Sequence, residues 1–130
     1  MEFVTEENKA KVIINAAPLQ DAFRLKAVIQ KALLNNGIKI EDIKENDIFN
    51  ILMALDSSEE VFNAMFDCLK KSSYNGIKIT KETFEPEETR GDLYEVFFYC
   101  LKVNIYPFLR SLCSRFGIQF GASAELPKQL

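Results

Sequence analysis

Glu85, Glu87, Glu88 and Asp92 place four carboxylates close together and are the best candidates for acid–base chemistry in this 130-residue chain. Paired carboxylates can act as general acid and base, or open a glycosidic bond, when they are held on opposite sides of a cleft. A run along one segment does not provide that arrangement. The simpler reading is a solvated acidic stretch that favours the positive end of the helix after it. Histidine is absent, so neither a Ser-His-Asp nor a Cys-His nucleophile can be assembled. Cys68, Cys100 and Cys113 each lie in an apolar helical context, where a free thiol packs as a small hydrophobe. Their odd number gives no disulfide framework, and without histidine or close cysteine pairs a structural zinc is not expected. Gly37, Gly76 and Gly91 are isolated and form no phosphate-cradling loop. No catalytic residue, metal or cofactor is expected, and the chain reads as a non-enzyme.

Three other features carry structural or contact chemistry. Arg90 follows the acidic run, and a carboxylate fork from it would tie that segment to the next helix. Pro107 lacks the N–H that would bond the Val103 carbonyl, so a kink is expected, with the Asn104 side chain near enough to satisfy freed backbone. The last apolar run, Leu93 to Phe116, holds Tyr94, Phe97, Phe98, Tyr99, Tyr106, Phe108 and Phe116. Phe97, Phe98 and Tyr99 are consecutive and point about 100° apart, so they cannot share one face. Either this helix is central in the core, or part of its surface is an interface. For the second case Phe98, Tyr106 and Phe108 are the partner-contact candidates.

Elements must position these residues. Residues 1–10 are polar and read as a loose arm. Lys11 to Asn15 is strand-prone and is stopped by Ala16-Ala17-Pro18. Pro18 suits a first helical turn, and Leu19, Ala22, Phe23, Val28, Ile29, Ala32 and Leu33, broadened by Leu25, make an apolar stripe. Asn35-Asn36-Gly37 supplies a left-handed stop. Ile38 to Asn46 is a charged connector, and Ile48 to Leu55 reads as a second helix. Ser57 with Glu60 has capping-box spacing for a third, Ser58 to Lys71, burying Val61, Phe62, Met65, Cys68 and Leu69. Ser72 to Gly76 reads as a turn and Ile77 to Thr80 as a short strand able to pair with Val12 to Ile14. Lys81 to Gly91 is loop-like with Phe84 buried, and the last helix begins near Glu88 to Asp92. The expected fold is mainly α: a compact bundle of about four helices with a small two-stranded β ribbon. Residues 11–116 form a single domain, and 117–130 a flexible tail.

Composition agrees with one folded domain: 48% of residues are hydrophobic and 27% charged. The net charge of −3 is interspersed and offers no basic stripe, so nucleic acid is not an expected partner. The acidic start is unlike a signal peptide, and the densest apolar windows are too polar for a membrane span. A soluble cytoplasmic protein is expected.

The order of elements resembles the tail assembly chaperones of long-tailed phages and prophages. The residues that carry the likeness are Lys11 to Pro18 leading into Leu19 to Val28, then Tyr74 to Thr80, Thr83-Phe84-Glu85, Glu88 to Asp92, and Asn104-Ile105-Tyr106-Pro107-Phe108. The resemblance implies a small, mainly helical protein of the bacterial host cytoplasm that binds the tape measure protein and helps recruit tail tube subunits. It also implies that a frameshift-extended form contacts the major tail tube protein, this chain looking like the short product. Self-association into a homo-oligomer would bury surplus apolar surface. The alternative is another cytoplasmic helical interaction module, an adaptor or regulator.

Overall fold

Short strands organise more of this fold than the helical-bundle expectation allows. The computed structural model describes residues 1–37 and 58–108. In chain order these form β1 (Glu2–Val4), β2 (Lys11–Ile13), α1 (Leu19–Asn35), α2 (Glu59–Cys68), β3 (Ser73–Tyr74), β4 (Ile77–Lys78), a 3-10 turn (Lys81–Phe84), the short α3 (Glu87–Arg90) and α4 (Leu93–Asn104). The strands make one antiparallel sheet in the order β1-β2-β3-β4. The mainly helical bundle with a two-stranded ribbon is therefore corrected to a mixed α/β fold.

Two local errors in the sequence reading account for the correction. Residues 1–10, expected as a loose arm, carry β1, which pairs Phe3 with Val12 and Val4 with Lys11. Thr5 then closes the connection, because its backbone N–H donates to the Ala10 carbonyl at 2.9 Å and its hydroxyl accepts the Ala10 N–H at 2.9 Å. In the second place, the turn expected over Ser72 to Gly76 shrinks to Asn75-Gly76. Their φ values of 51° and 79° are the successive left-handed conformations that a two-residue hairpin turn demands. Ser73 and Tyr74 are thereby freed to be a strand, and they, not Ile77 to Thr80, pair with β2.

The register places Phe3, Val12 and Tyr74 in one row across the sheet. This row meets the helices: the Phe3 ring stacks on Tyr99 of α4 at 4.1 Å, and Tyr74 packs edge-on against Phe84 at 5.9 Å. The opposite face mixes Val4 and Ile13 with charged residues, Glu2 and Lys11 being paired at 3.1 Å in solvent.

Helix α1 follows Pro18, which sits at the N-cap position, and stops at Gly37 with φ 73°, as the Asn-Asn-Gly stop predicts. Its buried stripe is Ala22, Leu25, Ile29 and Leu33. Leu25 is thus the centre of the stripe and not its margin, while Leu19 and Phe23 lie outside it. Helix α2 is capped by Ser58, whose hydroxyl accepts the Val61 N–H at 3.3 Å. That is one residue later than the expected Ser57 cap. The expected helix Ile48 to Leu55, the connector before it and the tail 117–130 lie outside the described residues.

α4 is the central element. Phe97 faces Phe62 and Phe66 of α2 at 6.0 and 5.5 Å, Phe98 is fully buried, and Tyr99 lies under Phe3. The three consecutive rings point three ways because the helix is covered from several sides, and β1 supplies the cover that the sequence reading lacked. Regular helix ends at Asn104, Ile105 forms a turn, and residues 106–108 are helical again. Regular helix is thus interrupted two residues before Pro107, and the run beyond Phe108 lies outside the described residues.

Candidate functional site

Among the contact candidates, Phe98 is fully buried and Tyr106 is 6% exposed. Both belong to the core, so a partner approaching this surface does not meet them. Phe108 is half-buried and stacks on Phe23 of α1 at 5.0 Å between ring centroids. Phe23 is 50% exposed and Leu19, one turn earlier on the same helix face, is 61% exposed. Pro107, next to Phe108, is exposed as well. Leu19, Phe23, Pro107 and Phe108 thus form an apolar patch joining the start of α1 to the segment after α4. At 100° per residue Phe23 points about 115° from the mean direction of the buried stripe. That offset was available in the sequence, and it could have separated Phe23 from the core set.

The remaining structural candidates are placed as follows. Arg90 is exposed and, among the described residues, makes no ion pair; the tie between the acidic segment and the sheet comes from Asp92 instead. Asn104 is buried and bridges elements. Its amide N–H donates to the Cys100 carbonyl at 3.0 Å, and its carbonyl accepts the Ala17 N–H at 2.8 Å. This role differs from the expected one, since Asn104 fixes the β2–α1 connection on α4 and does not serve backbone freed by Pro107.

Asp92 separates from its acidic neighbours. Glu85, Glu87 and Glu88 are exposed, while Asp92 is fully buried at the N-cap of α4. Its Oδ2 accepts the Tyr74 hydroxyl at 2.5 Å and the Asn8 side-chain N–H at 3.0 Å; its Oδ1 is buried with no hydrogen-bond partner. Asn8 also donates to the Glu88 carbonyl at 2.6 Å. Burial, followed by the hydrogen bond and charge of Asp92, pushes the Tyr74 phenol well above its ordinary value. Burial also raises the Glu95 carboxyl, against the opposing pull of the Glu6 N–H, which donates to it at 3.2 Å. The arrangement fastens the β1–β2 connection, β3 and the start of α4 together. It is a polar clamp.

A shallow recess of about 220 Å³ lies between the end of α1 and the start of α2, lined by Val28, Ala32, Asn35 and Ser58 with Lys31 and Glu60 paired at 3.3 Å. Small-molecule sites usually span roughly 300–1,000 Å³ with converging polar groups. Among the described residues there is no cluster of three or more potential metal ligands, and no helix is long and apolar enough to cross a membrane. No family model, curated protein or solved structure matches the chain.

Proposed function

We propose that this chain is a non-enzymatic assembly chaperone of the phage tail type, which holds an amphipathic helical segment of a tape measure protein on the Leu19–Phe23–Pro107–Phe108 patch. The observation that carries the reading is that Phe23 and Phe108 stack on one another beside the exposed Leu19 and Pro107, while Phe97 and Phe98 of α4 are buried and Tyr99 is stacked on Phe3. An amphipathic helix offers apolar anchors at i, i+3 and i+4 spacing, which suits a small aromatic platform flanked by aliphatic side chains. Four side chains make a small contact, and small contacts suit a client that is later released. In this reading the protein works in the cytoplasm of the bacterial host, and a frameshift-extended form adds the contact to the tail tube protein.

The test is co-expression with the cognate tape measure protein. The parent chain is expected to co-purify with that protein and keep it soluble, and Leu19→Ser with Phe23→Ser to lose at least tenfold in affinity while remaining folded. A folded parent chain that neither binds nor solubilises the tape measure protein sinks the proposal. Tail tube and tape measure genes flanking the coding sequence would favour this reading over a general adaptor.

A further inference from the structure

Asparagine precedes glycine twice in this chain, at Asn36-Gly37 and at Asn75-Gly76. In such a pair the glycine nitrogen can attack the asparagine carboxamide, because no side chain stands beside it. The two pairs are held differently. At the end of α1 the Gly37 N–H donates to the Leu34 carbonyl at 3.0 Å, and Asn36 Nδ2 donates to the Ala32 carbonyl at 2.8 Å. Nucleophile and leaving nitrogen are thus both engaged there. Asn75 and Gly76 form the β3–β4 turn and are both exposed. Among the described residues no acceptor takes the Gly76 N–H or the Asn75 Nδ2 hydrogens. The contact of the Asn75 side chain falls on its other atom, Oδ1, which accepts the Lys11 N–H at 2.9 Å.

The backbone sets the remaining condition, since ring closure needs the Gly76 nitrogen to eclipse Asn75 Cβ. The φ values of 51° and 79° are those of a type I′ turn, whose first central residue has ψ of about +30°, with the next nitrogen facing away from Cβ. Turning over the one peptide plane between the two residues converts the turn to type II′. Asn75 then keeps its positive φ while ψ moves to about −120°, which brings the Gly76 nitrogen over Cβ. Both turn types close a two-residue hairpin, so β3 and β4 stay paired. Gly76 tolerates the change in φ, and the space beside it is open.

We propose that Asn75 is a modification site, converted to isoaspartate through a succinimide that forms when the β3–β4 turn flips from type I′ to type II′. The Gly76 nitrogen bonds to Asn75 Cγ, the Cγ–Nδ2 bond breaks, and Nδ2 leaves as ammonia with the proton from Gly76. Negative charge develops on Oδ1 as the bond forms, and the Lys11 N–H is the donor on that oxygen. Water then opens the ring. Breaking the new Cγ–N bond gives aspartate; breaking the original peptide C–N bond gives isoaspartate with a free α-carboxylate. Water is consumed, ammonia is released, and no electrons are exchanged. Isoaspartate threads a further methylene into the main chain of a tight turn. That displaces the Asn75 N–H from the Lys11 carbonyl, a bond of 2.7 Å beside Tyr74, which donates to Asp92.

The full-length folded chain is incubated in warm neutral buffer, and isoaspartate at each pair is followed by peptide mass mapping and by labelling with an isoaspartyl methyltransferase. Samples in urea below the unfolding transition, and one fully unfolded, are run in parallel. The unfolded chain is expected to convert at both pairs at similar rates. In the folded chain Asn75 is expected to convert about tenfold faster than Asn36 or more, at a rate that stays flat in urea below the transition, as a local opening requires. The proposal is overturned if folded Asn36 converts as fast as Asn75, or if the Asn75 rate climbs with urea in step with global unfolding. It is equally overturned if folded Asn75 is intact after about ten half-lives of the unfolded chain.

Discussion

At the residue scale, Asp92 is the most demanding side chain in the protein. A carboxylate with one buried oxygen unpaired depends on whatever donors it does have, and these are Tyr74 and Asn8. Tyr74→Phe is expected to cost about 1–3 kcal/mol in urea unfolding, because it removes one of the two donors to a buried carboxylate and leaves Asn8 as the remaining one. Asp92→Asn should cost less in that background than in the parent chain, since the two residues share one interaction. Glu95 gives a pH test. Its carboxyl is raised by burial, so the folded chain holds that proton where the unfolded chain has released it. The stabilisation linked to this group is full below the unfolded value and is lost as pH rises through the folded one. Glu95→Gln keeps a carbonyl for the Glu6 N–H and removes the desolvated charge. It should melt with the parent chain near pH 4 and above it at pH 7; an equal gain at both would dismiss the assignment. Little of this was legible in the sequence. Asp92 looks like one more member of an acidic run, and its burial is decided by Asn8 and Tyr74, which lie 84 and 18 positions away.

At the scale of elements, long periodic segments were legible and short ones were not. The α1 helix, its glycine stop, the buried Phe84 and the start of α4 follow from spacing and caps that act within a few residues, although the α1 stripe was drawn too wide at Leu19 and Phe23. β1 and β3 have three and two residues, too few to show alternation, and they exist because each is paired on a neighbour distant in sequence. Without β1 there was no element to cover Tyr99, so the aromatic surplus of α4 could not be divided between core and surface. Two glycines test the local account. Gly76→Ala should cost about 1 kcal/mol, because φ 79° is unfavourable for a residue with a Cβ, even though the space around it is open. Gly91 has φ −63°, and an added Cβ there meets only the carboxylate end of the flexible Glu7 side chain. Gly91→Ala should therefore be neutral or stabilising by up to about 0.5 kcal/mol, with Glu7 displaced. Thermal unfolding of the two variants should move in opposite directions or leave only Gly76→Ala lowered.

At the scale of the molecule, core and patch separate by their response to truncation. Phe98→Ala should cost about 3–5 kcal/mol, as for a ring removed from a closed interior. Phe23→Ser should change stability by about 1 kcal/mol or less, its effect falling on partner binding. Chemical denaturation of both variants checks the division. The sheet order has a further consequence for how the chain is made. β2 pairs with β3, and Ile13 lies opposite Ser73, a separation of 60 positions (73 − 13). α4, which closes the core, comes later still. At about 5–20 residues per second, a ribosome spends roughly 3–12 s between exposing one side of that pairing and the other. Until Glu59–Cys68 emerges late in that interval, Leu25, Ile29 and Leu33 lack α2, the helix they pack on, so the nascent chain passes through a stage in which its own apolar helix needs shelter.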